Sequence, residues 1–218
     1  MDTRTDAVGR AFAGSQRQIQ TYVNEKPSDL SLAIAGAFSG KLEVPEIEWV
    51  SPLASDLYTE YRDADFLKVT GLEHLTPALR SFWPRGGPCW DALARIPNGC
   101  VLIEAKSHIP EIYGGGCGAS EKSRQQITTA LSATKAWLAV PDSAEWTGRL
   151  YQSANRFATL YFLREIARVR AFLVNVYFIQ DPRTPTTRQQ WEVALEQVNV
   201  ELGIRSPVPS TTSIFLTV

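Results

Sequence analysis

Apolar positions in the first third of the chain recur at helical spacing. Val8, Phe12, Ile19 and Val23 predict an amphipathic helix over residues 6–24, and Pro27-Ser28 opens a shorter helix through Phe38, ended at Ser39-Gly40. Glu43 to Val50 reads as a strand. Ser55-Asp56 can cap a helix over Leu57 to Leu67, and Thr76-Pro77 another over Ala78 to Phe82. Two strand-like runs follow, residues 90–95 and 101–106. They flank Pro97-Asn98-Gly99-Cys100, where Asn-Gly signals a hairpin because both residues tolerate positive φ.

Beyond the hairpin, Gly114-Gly115-Gly116-Cys117-Gly118 reads as a loop before a helix from Ser120 to Leu138. A second helix covers Ala154 to Arg168. The continuously apolar run Ala171 to Ile179 predicts a central strand, buried on both faces. Thr187 to Glu201 reads as a helix closed by Gly203, and Ser213 to Val218 as a last strand. The alternation predicts an α/β protein. With 218 residues, 44% of them hydrophobic, and no repeat or linker, one domain over 1–218 is expected.

The hairpin carries charge where apolar residues belong. Val101-Leu102-Ile103 leads straight into Glu104 and Lys106, and Asp91 follows Trp90 on the other strand. With Asn98 and Gly99 as the loop, Asp91 lies opposite Lys106 and Leu93 opposite Glu104. Opposed residues share a face, and so do residues two apart on one strand. Glu104 is then the diagonal neighbour of Asp91, about 7–8 Å away between backbones, so the two carboxylates can converge. Charge on a buried strand is costly unless it is paired or bound to a metal. Two carboxylates can hold Mg²⁺ or Mn²⁺, a lysine can orient or deprotonate a water, and together they suit phosphodiester hydrolysis.

Asp91, a short spacer and Glu104-Ala105-Lys106 together resemble the PD-(D/E)xK signature of the restriction-endonuclease-like nucleases. The signature covers some sixteen positions. It departs from the pattern at its start, where Pro88 stands three residues before Asp91 instead of beside it. The resemblance implies an αβββαβ core, a mixed sheet flanked by helices, here with extra N-terminal helices and a C-terminal helix–strand pair. It implies Asp91, Glu104 and the Ala105 carbonyl as ligands of Mg²⁺ (or Mn²⁺), and Lys106 as the residue that positions the attacking water. A further acid is expected from the helix before the hairpin. Glu60, at the edge of the Leu57–Tyr61 stripe, is the choice, with Glu48 as competitor and Asp63 and Asp65 facing water.

Other features alter the picture less. Lys122, Arg124, Gln125 and Gln126 are available on the helix after the lysine strand, and Tyr151 to Arg156 open the next one with many hydrogen-bonding groups. His108 could reach the rim of the site or make a local hydrogen bond. Residues 147–218 hold eight Arg against five Asp or Glu, a mild basic excess. The net charge of −1 argues against a dedicated high-affinity nucleic-acid binder, though not against a nuclease with a local groove. Glu121 before Lys122-Ser123 excludes a P-loop. Three cysteines without CxxC spacing predict neither a disulfide framework nor a zinc site.

No apolar leader opens the sequence and no run approaches transmembrane length, so a cytoplasmic protein without membrane contact is expected. The expected function is metal-dependent hydrolysis of nucleic acid, DNA first. The rivals are a catalytically inactive module of the same fold that binds nucleic acid or protein, and a small-molecule phosphohydrolase.

Overall fold

In the computed structural model, which describes residues 4–43 and 46–218, the strand-like runs form one five-stranded sheet. Its strands are β1 (Glu48–Ser51), β2 (Ala92–Ile96), β3 (Gly99–Lys106), β4 (Arg170–Ile179) and β5 (Thr211–Thr217), side by side in that order. The first three are antiparallel neighbours, whereas β3–β4 and β4–β5 are parallel. Parallel neighbours need a crossover. The chain supplies α5 (Glu121–Trp137) and α6 (Tyr151–Tyr161) before β4, and α7 (Arg188–Leu202) before β5. Four helices precede the hairpin: α1 (Gly14–Glu25), α2 (Pro27–Ala37), α3 (Asp63–Val69) and α4 (Thr76–Phe82). The fold class is α/β.

The period of two along each strand divides the sheet into two apolar faces. Ala92, Ala94, Val101, Ile103, Ala105 and Val174 pack with Ile19 and Val23 of α1 and Leu30 and Ile34 of α2. Leu93, Cys100, Leu102 and Leu173 look the other way, towards α5, α6 and α7. β4 is buried along most of its length, as its continuous apolar run requires. α7 has the capping box that its ends predict: Thr187 accepts the Gln190 N–H, and Gly203 closes the helix at φ +72°.

The hairpin forms, but its loop is Pro97-Asn98 rather than Asn98-Gly99. Ile96 pairs with Gly99 and Ala92 with Ile103. Pro97 pre-sets the first loop position and Asn98 supplies the positive φ, +57°, that a turn of this kind needs at its second. Gly99 is there for a different reason. A Cβ on it would stand 1.7 Å from the Arg170 carbonyl oxygen, where β4 begins alongside. The register therefore differs from the sequence-based one by two positions. An even shift leaves every side chain on the face expected for it.

Other expectations need correction. No helix spans Leu57 to Leu67: a 3₁₀ turn over Ala54–Asp56 ends with Leu57 and Tyr58 at φ +51° and +55°. The following segment runs extended, with Tyr61 bridged to Trp90, and α3 starts only at Asp63. The N-terminal helix begins at Gly14 rather than near residue 6. The Asp6 carboxylate accepts the Val8 and Arg10 N–H groups, and Thr5 pairs with Ala11, so Val8 and Phe12 lie exposed outside the helix. β1 begins at Glu48, and positions 44 and 45 of the expected strand lie outside the described residues. α6 starts at Tyr151 and passes into a π-helical turn, Phe162–Ile166. No helix among the described residues is long and apolar enough to cross a membrane.

Candidate active site

The site lies where β2 ends and β3 continues. Asp91 precedes β2 by one residue, and continuing the observed register sets it opposite Glu104 rather than opposite Lys106. Its carboxylate bends to the freed edge of β3 and accepts the Ala105 N–H at 2.6 Å. In an antiparallel ladder a residue's N–H and C=O point to the same neighbour. The Ala105 carbonyl thus belongs to the Asp91 side as well, past the end of β2. Glu104 and Lys106 project from the same face, and Lys106 Nζ stands 2.5 Å from Glu104 Oε1. Asp91, Glu104, Ala105 and Lys106 are together.

Glu104 is also held from above by the last of the hydrogen-bonding residues that open α6. Arg156, on α6, is buried and sets both Nε and Nη2 2.6 Å from Glu104 Oε2. Its other N–H groups reach the Cys89 carbonyl at 3.2 Å and Asn155 Oδ1 at 2.9 Å, and its guanidinium lies 5.7 Å from the Trp90 ring centroid. Arg156 therefore ties the chain just before Asp91 to the strand that carries Glu104. The signal was present in the sequence as an arginine set among Ala154, Phe157 and Ala158. An arginine within such a stripe must find a partner off its own helix.

Electrostatics assign different states to the acids. Burial, then repulsion from Glu104 and Glu60, pushes the Asp91 carboxyl up to about 8, against the pull of Lys106. Burial would raise Glu104 too, but the charges of Arg156 and Lys106 and their hydrogen bonds overcome it and hold that carboxyl below its ordinary value. Burial works against a charged Lys106, yet Glu104 and Asp91 outweigh it and raise its pKa. Lys106 keeps its proton at neutral pH. That favours orientation and charge neutralisation over proton abstraction.

Glu60 reaches the same neighbourhood by another route. It sits on the extended segment beside the Tyr61–Trp90 bridge, not on a helix, and accepts a hydrogen bond from Gln16 Nε2 of α1 at 3.1 Å. Burial, with a contribution from Glu104, raises its pKa. Glu48 is exposed on β1 and faces Arg95 at 3.9 Å, so it does not compete. Asp63 is half-buried, and its oxygens accept the Gly86 and Gly87 N–H groups at 3.0 and 2.9 Å. Asp65 is exposed. His108 makes the local bond, to Glu111. The α5 polar groups look elsewhere. Lys122 and Gln125 are exposed, Arg124 bonds the Cys117 and Ala119 carbonyls, and Gln126 bonds those of Arg80 and Ser81.

The polar set continues across the sheet. Glu104 pairs in register with Asn175 of β4, and Asn175 with Ser213 of β5, so Asp91, Glu104, Asn175 and Ser213 make a row on one face. Asn175 escapes a sequence reading because it lies inside an apolar run. Among the described residues, no group of three or more His, Cys, Asp and Glu side chains is placed to hold a metal ion. The chain matches no protein-family model, no curated protein and no solved structure.

Proposed function

We propose that the protein is a Mg²⁺- or Mn²⁺-dependent nuclease of the restriction-endonuclease-like type, hydrolysing phosphodiester bonds in nucleic acid, DNA first. One observation carries this reading: Asp91, Glu104 and Lys106 meet on one face at the end of β2. Helix, three antiparallel strands (with α3 and α4 between the first two), helices and a parallel strand is an order compatible with an αβββαβ core carrying an insertion.

The donors suit a hard divalent cation. Mg²⁺ takes one or two carboxylates and keeps several waters, so Asp91 and Glu104, with the Ala105 carbonyl, are a sufficient set. Burial, then the neighbouring carboxylates, raises Asp91, and added positive charge beside it would offset both. When bound, such an ion polarises the phosphate and acidifies water. The protein's own groups do the rest. Lys106, protonated, orients the incoming water and balances charge on the phosphate. Arg156 fixes Glu104, and the Ala105 N–H fixes Asp91. Water oxygen bonds to phosphorus and releases a proton to solvent, the bond to the leaving oxygen breaks, and that oxygen recovers a proton from solvent.

The test is cleavage of labelled single-stranded and duplex DNA with either metal, by wild type and by Lys106→Ala. Cleavage is expected to fall by about 10²–10³ in the variant, with the fold retained. Unchanged cleavage rules the mechanism out. The double grip of Arg156 and Lys106 on Glu104 favours the second reading, a binding module whose charges are structural. That reading requires no saturable Mn²⁺ binding dependent on Asp91.

A further inference from the structure

The row of polar residues does not end against packed side chains. Between the sheet, α6 and α7 lies a cavity of about 530 Å³, with Glu104, Lys106 and Arg156 at one end. Its volume falls in the range of ligand sites that enclose one drug-sized molecule.

The lining defines the chemistry of that occupant. Leu195, Val198 and Leu202 of α7 and Phe157 of α6 offer apolar walls, suited to the faces of a planar ring. Asn175 lies on the floor, and its side-chain amide has no hydrogen-bond partner among the described residues, which leaves a donor and an acceptor for a heterocycle edge. Arg205 also lines the cavity, and it has no ion-pair partner among the described residues. Three cations, Lys106, Arg156 and Arg205, and one carboxylate, Glu104, thus line it. A purely apolar ligand would leave this charge unanswered, and inorganic phosphate would leave the walls uncovered. A stacked duplex cannot enter a space for one such unit.

We infer that this cavity receives the base and sugar of a single unstacked nucleotide, with its phosphate directed to Lys106 and Asp91. The inference rests on the nuclease reading for the role of that phosphate. It gives the substrate class as single-stranded or locally unpaired nucleic acid, since drawing a base out of a duplex costs a few kcal/mol. A free mononucleotide has the same chemistry.

Titration calorimetry in EDTA separates these possibilities, with a deoxynucleoside 5′-monophosphate compared with deoxyribose 5-phosphate. Wild type should bind the nucleotide at least about tenfold more tightly. Leu195→Trp, which fills the cavity from α7, should abolish the difference. Asn175→Ala should reduce it severalfold, and serves alone if the tryptophan variant does not fold. Equal binding of nucleotide and sugar phosphate by wild type overturns the inference, as does undiminished preference in both variants.

The second arm is cleavage of a single-stranded oligonucleotide with one abasic position. Cleavage there should be slower than at intact nucleotides. If wild type cuts both alike and Leu195→Trp cuts normally, the cavity has no part in substrate selection and the nuclease reading stands. If the nucleotide preference is present but no oligonucleotide is cut with either metal, the nuclease reading falls, and the ligand is a free mononucleotide.

Discussion

Arg156 of α6 and Glu104 of β3 form a buried ion pair at 2.6 Å, fifty-two positions apart in the chain. The pair joins the helix crossover to the strand that carries the candidate chemistry. Removing one member of a buried pair leaves the other uncompensated. Arg156→Ala should therefore cost about 3–5 kcal/mol in urea unfolding. The cost should shrink when Glu104→Gln is present as well. A loss below about 0.5 kcal/mol, the scale of an exposed pair, would show that Arg156 does not hold Glu104.

The state of Asp91 makes stability depend on pH. Its folded pKa lies above its unfolded one, so the native state binds that proton more tightly. The stabilising contribution is full below about pH 4 and is lost as pH rises through about 8. Glu60 shifts in the same direction. Glu104 is lowered, so its contribution is lost only on acidification below its ordinary carboxyl range. Metal-free protein should lose about 1 kcal/mol or more between about pH 5 and 8, read as 2–4 °C in Tm. Asp91→Asn should flatten the slope, and a level wild-type profile would contradict the assignment.

Divalent cations should act against that loss. Mn²⁺ in excess should raise Tm more at about pH 8 than at about pH 5, because a bound cation favours ionised Asp91. Isothermal titration should find saturable binding that Asp91→Asn removes. Equal stabilisation of wild type and variant would assign the metal effect to another place.

Gly99 offers a test of the fold alone. Gly99→Ala pushes a methyl into the Arg170 carbonyl, 1.7 Å away, and should cost about 1–3 kcal/mol or more through forced backbone shifts. Gly115, with nothing within 4 Å of its missing Cβ, is the control. Gly115→Ala should change stability by less than about 0.5 kcal/mol.

The sequence disclosed those parts of the molecule that local rules govern. α2, α4, α5, α7, β4 and the hairpin strands appear near their expected places, because periodicity and end signals are properties of neighbouring residues. Leu57 to Leu67 misled because a helical stripe there competes with two distant ties, Tyr61 to Trp90 and Ser51 Oγ to the Thr59 carbonyl. Glu60 illustrates both sides. It lies near Glu104 and Lys106, but an extended segment carries it, so the helix argument that selected it does not explain its position. Arg156 announces itself as an arginine among apolar residues, but its acidic partner, Glu104, comes from a strand fifty-two positions away. Asn175 meets the site only through the register of β4 with β3 and β5, which tertiary packing sets.

The hairpin register has a consequence for how this chain can change. Sliding β2 along β3 by one position would turn Asp91 towards α1 and α2 and bring Ala92 to Glu104. A slide by two changes only which carboxylate–lysine spacing results. Length variation around Pro97-Asn98 is thus filtered by parity: an even displacement between the strands re-spaces the charges, and an odd one exchanges acid for methyl. Variants of this turn that keep Asp91 beside Glu104 should differ from one another in steps of two in strand register, unless a bulge restores the missing position.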